Sequence, residues 1–251
     1  MENTIVGLSP ESQFTFSDQF EISETGNAEF YGFLLRGMTH KLNNLLAVIQ
    51  GFSSLIMMDE SVDEGVIENI SHMKEAANNA SSLSEKILPA GGCSQISNQE
   101  LAISDLMSMI EDNLREPFNK HAVTLDILCP KETHIVKADP GRLKTIILAI
   151  LENAAEAAST NGGNASISIN NPGEFSKIED HCVDILIQNT GGEIPVDKIN
   201  KIWEPFYSSK ESAHFGLGLT TAAVLAVQMN MRLGVISQNG STIFWISIPA
   251  A

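Results

Sequence analysis

Cysteine, basic side chains and long apolar runs are all scarce in this chain of 251 residues. The three cysteines, Cys93, Cys129 and Cys182, lie too far apart for metal-ligand spacing, and an odd count does not build a disulfide framework. A reduced, cytoplasmic setting is the expectation. Lys and Arg total 15 against 31 Asp and Glu, so the net charge is −16 and the pI about 4.6. Nucleic acid is thereby disfavoured as a partner, because its phosphates repel such a chain. Acidic membrane surfaces are disfavoured for the same reason, while a basic patch on a protein partner matches the charge. No apolar stretch reaches about 18 residues, so no membrane span is expected. The start, Met1-Glu2-Asn3-Thr4, lacks the basic region and apolar run of a secretory signal.

What is present is a packable composition, 43% hydrophobic, in a length that suits one large or two small domains. Residues 1–26 are polar and mixed and read as a tail with no room for a sensory domain. Residues 27–90 read as two amphipathic helices, 27–59 and about 66–88, joined by the acidic turn Asp59–Gly65 and closed by Pro89-Ala90-Gly91-Gly92. Such an antiparallel hairpin covers too little of its own apolar surface. Pairing with a second copy into a four-helix bundle is therefore expected, the alternative being that both helices pack on the rest of the chain. Residues 97–251 mix helices and strands. Helices are expected at Ser104–Asn119, capped by Ser104 or Asp105, at Pro140–Ser159 and at Leu217–Met229. Strands are expected at Val123–Leu128, Thr133–Val136, Ala165–Asn170, Cys182–Gln188, Leu233–Ser237 and Thr242–Ile248, the last two joined at Asn239-Gly240. The fold class is thus α+β: a helical hairpin followed by a layered α/β sandwich.

The first helix carries the chemistry. Leu34, Met38, Leu42, Leu45, Ile49, Phe52 and Ile56 recur at three- and four-residue steps and form one apolar stripe. His40 points to the opposite side, among Arg36, Asn43, Asn44, Ala47, Gly51 and Ser54, all small or polar. A neutral imidazole there offers a lone pair and can act as a nucleophile. A lone histidine on a helix otherwise reads as a solvated surface group, and the rest of the chain decides between the two.

Three further patterns follow in order. One is Ala138-Asp139-Pro140-Gly141-Arg142-Leu143 with Leu151-Glu152-Asn153-Ala154-Ala155-Glu156-Ala157. The next is Asn189-Thr190-Gly191-Gly192-Glu193-Ile194-Pro195. The last is Trp203–Lys210 running into Gly216-Leu217-Gly218-Leu219. Together with the His40 helix they resemble the two-component sensor histidine kinases over about residues 29–251. The resemblance implies a dimerisation and histidine-phosphotransfer hairpin, then the ATP-binding domain shared with gyrase and heat-shock chaperones. By that resemblance His40 is the phospho-acceptor, and Asn44 orients the water that hydrolyses a receiver's phosphoaspartate. It also implies ATP and Mg²⁺ as cofactors and a response-regulator receiver domain as partner. Asn153 offers an amide oxygen to Mg²⁺, a hard cation that takes oxygen ligands. Asn189 and Gly191 meet the base, where glycine permits close backbone approach. Lys210 offers a cation to the phosphates, and Gly216 and Gly218 leave room for them at a helix N-terminus.

Four departures from that family pattern bear on activity. Lys41 follows His40 where an acidic residue is usual. Asn189 replaces the aspartate that recognises the adenine amino group, a charged hydrogen bond worth roughly 1.5–3 kcal/mol. Glu193 stands in place of the second glycine of its loop. The lid, Glu211–Phe215, is short and free of glycine. These changes point to a phosphotransferase that exchanges its phosphoryl group with receiver aspartates and makes little use of ATP. An ATP-dependent autokinase and a dimeric docking scaffold are the competing readings. A gyrase-type hydrolase, which needs a glutamate four residues before the Mg²⁺ asparagine, is disfavoured by Ala149.

Overall fold

The computed structural model describes residues 25–59, 61–160, 162–172, 181–208 and 215–251. They fall into two compact units that divide between Ser94 and Gln95. The tail expected at residues 1–26 lies outside the described residues as far as residue 24.

The first unit is a hairpin of α1 (Thr25–Met57) and α2 (Glu64–Ala90). Asp63 starts α2 by accepting the Gly65 N–H on Oδ1 at 2.9 Å, which satisfies one of the orphan donors of the first turn. Pro89 sits inside the last turn rather than beyond it, and the helix closes on Gly91, whose N–H reaches Ile87 O. Pro89 has no N–H for the carbonyl four residues back, which weakens this last turn, and the helix ends one residue later.

The two helices meet through a narrow seam. Thr39, Leu46 and Ser53 are buried at seven-residue steps along α1, with Ala77 and Ser84 on α2. Gln50 Nε2 bridges the helices by donating to Asn78 Oδ1 at 3.0 Å and Ser81 Oγ at 3.3 Å. The stripe that periodicity picks out is not this seam. Met38, Leu42, Leu45, Ile49, Phe52 and Ile56 all lie exposed, to one side of the seam: Met38, Leu45 and Phe52 each precede a buried seam residue by one, about 100° around the helix. The side chain of Leu34 is outside the described residues. On α2, Val66 and Met73 are exposed, Ala77 is buried, and Ile70, Ala80, Leu83 and Ile87 are half-buried.

The second unit is an α/β sandwich. It begins with β1 (Gln99–Ala102), which pairs antiparallel with β3 (Ile135–Ala138). Its main sheet joins β2 (Leu125–Leu128), β4 (Ala165–Asn170), β5 (Cys182–Thr190), β7 (Ser241–Pro249) and β6 (Arg232–Gln238) in that order. β2 and β4 run parallel and the other pairs antiparallel. Helices α3 (Ile103–Met109), α4 (Glu111–His121), α5 (Pro140–Thr160) and α6 (Gly218–Gln228) complete the unit, with a 3₁₀ turn at Lys201–Trp203.

α5 is the spine. Asp139 caps it by accepting the Arg142 N–H at 3.0 Å, and Pro140 supplies a pre-set first turn. Leu143, Ile146, Ile147, Ile150, Leu151, Ala154, Ala155 and Ala158 are all buried, the three- and four-residue rhythm of a helix facing a sheet. They meet Ile185 and Ile187 of β5 in one core. Each fully buried isoleucine or leucine contributes about 1.5–3 kcal/mol.

Sequence expectation and structure differ in this unit at three places. The helix expected at Ser104–Asn119 is two helices, broken at Ile110 (φ −108°, ψ 11°). Neither Ser104 nor Asp105 caps it: α3 starts after Ala102 with no side-chain cap, and Ser104 N donates to Thr133 Oγ1 instead. β1 carries no clear alternation and is fixed by its pairing with β3. The Asn239-Gly240 turn forms as expected, with φ of 53° and 72°, the paired positive values a tight hairpin needs.

Candidate functional site

The candidate residues fall on both units. On the hairpin, His40 is exposed on α1 and lies almost opposite the exposed apolar stripe. Asn44, one turn further on, is exposed on the same side, as is Lys41 nearby. Arg36 is folded back, its Nε donating to Gly32 O at 3.2 Å. A Cβ built on Gly37 or Gly51 would meet nothing within 4 Å, so the surface around His40 is open. Asn43 belongs elsewhere: it is half-buried at the seam, with Oδ1 buried and unpartnered.

On the α/β unit, one face of α5 organises the remaining residues. Ala149, Asn153 and Ala157 follow one another at four-residue steps, on one side of the helix. The turn after β5 packs at one end of this row: a Cβ on Gly192 would stand 3.2 Å from Ala157 Cβ. The start of α6 packs at the other: a Cβ on Gly218 would stand 3.9 Å from Ala149 Cβ. Asn153 is midway, about 6 Å of helix rise from each. Its Nδ2 donates to Ala149 O at 3.0 Å, which leaves the amide oxygen as the atom available to a cation.

Two glycines here have conformational reasons. Gly191 has φ +89° and Gly216 φ +63°, a region that L side chains avoid. A Cβ at Gly216 would also lie 2.6 Å from the Phe206 carbonyl carbon and Tyr207 O. Gly191 therefore turns the chain and its N–H bonds Gly240 O at 3.1 Å.

Asn189 ends the buried run of β5, on the side of Ile185 and Ile187, and only 2% of it is exposed. Its Nδ2 is buried without a partner. Glu193 is not turned toward a phosphate site. Its Oε2 accepts the Gly240 N–H at 3.0 Å, which ties the loop to the β6–β7 turn. Lys210 and most of the lid, residues 209–214, lie outside the described residues. Sequence reasoning missed Thr242, which pairs with Asn189 across β5 and β7 and donates to Gly192 O at 3.1 Å. Its one signal was a buried polar residue at the start of an apolar strand.

Among the described residues no group of three or more His, Cys, Asp and Glu side chains could hold a metal, and no helix is long and apolar enough to cross a membrane. A single amide oxygen is still compatible with Mg²⁺, which takes few protein ligands and completes its shell with phosphates and water.

Residues 138–251 match the histidine kinase-, DNA gyrase B- and HSP90-like ATPase family. Among curated proteins the chain is 25% identical over 233 residues to the sensor kinase CckA of Brucella abortus, covering 89% of this chain and 23% of that protein. It is also 25% identical over 219 residues to sporulation kinase E of Bacillus subtilis, covering 87% and 28%. The chain thus spans about a quarter of the length of these relatives. Among solved structures it resembles full-length ShkA in complex with AMPPNP, with a TM-score of 0.69 at 20% identity, over 87% of this chain and 46% of that one. It also resembles the histidine kinase ThkA in complex with the response regulator TrrA, with a TM-score of 0.58 at 18% identity, over 90% and 64%.

Proposed function

We propose, for a chain that belongs to the two-component sensor histidine kinase family, that His40 carries a phosphoryl group and exchanges it with the aspartate of a response-regulator receiver domain. The observation that carries this reading is the open, polar surface around an exposed His40 on the side of α1 away from the apolar stripe. In the exchange a ring nitrogen lone pair of His40 attacks phosphorus. The N–P bond forms as the acyl-phosphate P–O bond breaks, and the aspartate leaves as a carboxylate. Lys41 cannot accept a proton from the imidazole as a carboxylate would, but its charge favours an incoming phosphoryl group. That suits transfer from an activated phosphoaspartate better than attack on ATP. In this reading Asn44, exposed one helical turn from His40, orients a water toward a docked phosphoaspartate. The complex of ThkA with TrrA supports a receiver as partner.

ATP use is weak in this reading because Asn189 offers a neutral amide where the family places a carboxylate. When bound, Mg-ATP would be the phosphoryl donor, with Asn153 Oδ1 on the cation and Gly216 and Gly218 giving the phosphates room. A second reading, an ATP-dependent autokinase, is favoured by the turned-away Glu193. The exposed apolar stripe of α1 supports pairing of the hairpin with a second copy.

The test incubates the full chain with phosphorylated receiver domains, or with Mg-ATP, and follows acid-labile label. His40→Gln should abolish all labelling, while Asn153→Ala should remove only ATP-dependent labelling. Undiminished label on His40→Gln, or a parent chain that neither donor labels, refutes phosphotransfer and leaves the docking scaffold. Calorimetry with Mg-ATP separates the two readings: micromolar binding favours the autokinase.

A further inference from the structure

Asn189 is a polar side chain sealed against the core, 2% exposed, with a buried Nδ2 that has no partner. Among the described residues no hydrogen bond holds its side chain; its backbone lies in the β4–β5–β7 ladder and its backbone oxygen accepts from Ser241 Oγ at 3.0 Å. Thr242, its cross-strand neighbour, gives its hydroxyl proton to Gly192 O and does not pin the amide. Buried polar groups are nearly always satisfied, so this unmet amide, on the strand whose following turn packs at Ala157 of α5, marks where a ligand edge completes it.

The chemistry of that edge follows from the residue type. A carboxylate is acceptor-only, whereas an amide carries one donor group and one acceptor, exchanged by a half turn about χ2. A 6-amino purine presents an N–H donor beside a ring-nitrogen acceptor. A 6-oxo purine presents the reverse, a carbonyl acceptor beside a ring N–H. An amide that nothing in the protein fixes satisfies either edge, in opposite orientations. We propose that Asn189 makes this a purine-nucleotide site that accepts adenine and guanine bases alike. The proposal rests on reading the α/β unit as nucleotide-binding, and it names Asn189 as the residue that sets base selectivity.

The experiment titrates the full chain, with Mg²⁺, using ribose-labelled fluorescent analogues of ATP and GTP. The parent is expected to bind the two with affinities within about fivefold. Asn189→Asp should favour the ATP analogue over the GTP analogue by about tenfold or more, the size of one charged hydrogen bond. A parent preference of more than about fivefold for either base overturns the proposal, and so does an Asn189→Asp chain with the parent's ratio. Circular dichroism melting confirms that the variant is folded. Failure to bind either analogue also overturns it, yet leaves His40 labelling from a phosphorylated receiver intact. Loss of that labelling with both analogues bound would instead refute the relay and spare this site.

Discussion

Replacing Leu45 and Phe52 with alanine tests whether the exposed stripe of α1 is an interface. The two side chains are 65% and 64% exposed in the single chain, although both are large and apolar. Full burial of such a side chain contributes about 1.5–3 kcal/mol. Covering the exposed part of Leu45 alone is then worth about 1–2 kcal/mol per copy. A symmetric dimer counts it twice, about 2–4 kcal/mol, which is roughly a 30- to 1000-fold change in dimer Kd. Phe52 adds a similar amount. The hairpin itself should survive, because its seam runs through Leu46, Ala77 and the Gln50 hydrogen bonds, none of which is touched. Light scattering across a micromolar dilution series is the assay. The parent should be a dimer, Leu45→Ala should dissociate at higher concentration, and the double variant should be monomeric with unchanged helical circular dichroism. Ala47→Ser, on the His40 side, should leave the dimer as it is. A monomeric parent, or a double variant as firmly dimeric as the parent, refutes the assignment of this stripe to self-association.

Three further outcomes follow from the α/β unit. Asp139 is pulled upward by desolvation, yet the backbone N–H groups of Ser97, Arg142 and Gly141 outweigh that and hold its carboxyl below the usual value. Its stabilisation is therefore present above the unfolded carboxylate pKa and is lost as pH falls through the lower folded one. Asp139→Ala should cost about 1 kcal/mol at pH 7, and denaturant melts of the two chains should converge as pH falls through the lowered folded pKa of the carboxyl; a gap that is constant with pH refutes the charge-based cap. Gly163→Ala should destabilise by about 3 kcal/mol, read as a fall in Tm, because its Cβ would stand 2.0 Å from Thr190 O; an unchanged Tm would mean the loop yields freely. Glu193→Ala should leave Mg-ATP affinity, measured by calorimetry, within about twofold of the parent's, since the carboxylate bonds Gly240 N; a tenfold gain would show that it opposes phosphate after all.

Local pattern was enough for elements whose partners are a uniform surface. α5 faces the sheet along its whole length, so its rhythm of buried residues reads directly from Leu143 to Ala158. β4 and the β6–β7 turn were equally plain, one from alternation and the other from Asn239-Gly240. Elements fixed by a distant partner were not: β1 exists because β3 pairs with it, and the break at Ile110 has no glycine or proline to announce it. The hairpin shows the subtler failure. The strongest apolar period in α1 marks the surface left open, whereas the contact with α2 uses threonine, serine, glutamine and one leucine. Periodicity finds the most apolar face of a helix but cannot tell which neighbour covers it.

The nucleotide-type site divides along the same line. Asn153, Gly191, Gly216 and Gly218 could be proposed from sequence because the case for each rests on neighbours a turn away or on glycine itself. Glu193 could not, since what matters is a bond to a backbone N–H 47 residues on. Read by position, its charge counts against phosphate; read by geometry, it braces the loop that carries Gly191 and Gly192. In the proposed function, weak ATP use then rests on Asn189 and Lys41 rather than on the whole loop. On that proposal the two would act on different steps: Asn189 on affinity for the base, and Lys41 on the proton acceptor for attack on ATP. Asn189→Asp should therefore restore Mg-ATP binding without restoring ATP-dependent labelling of His40, and only Asn189→Asp combined with Lys41→Glu should raise both. If Asn189→Asp alone raised labelling as much as binding, Lys41 would not be the limiting departure, and proton transfer from His40 would need no carboxylate at that position.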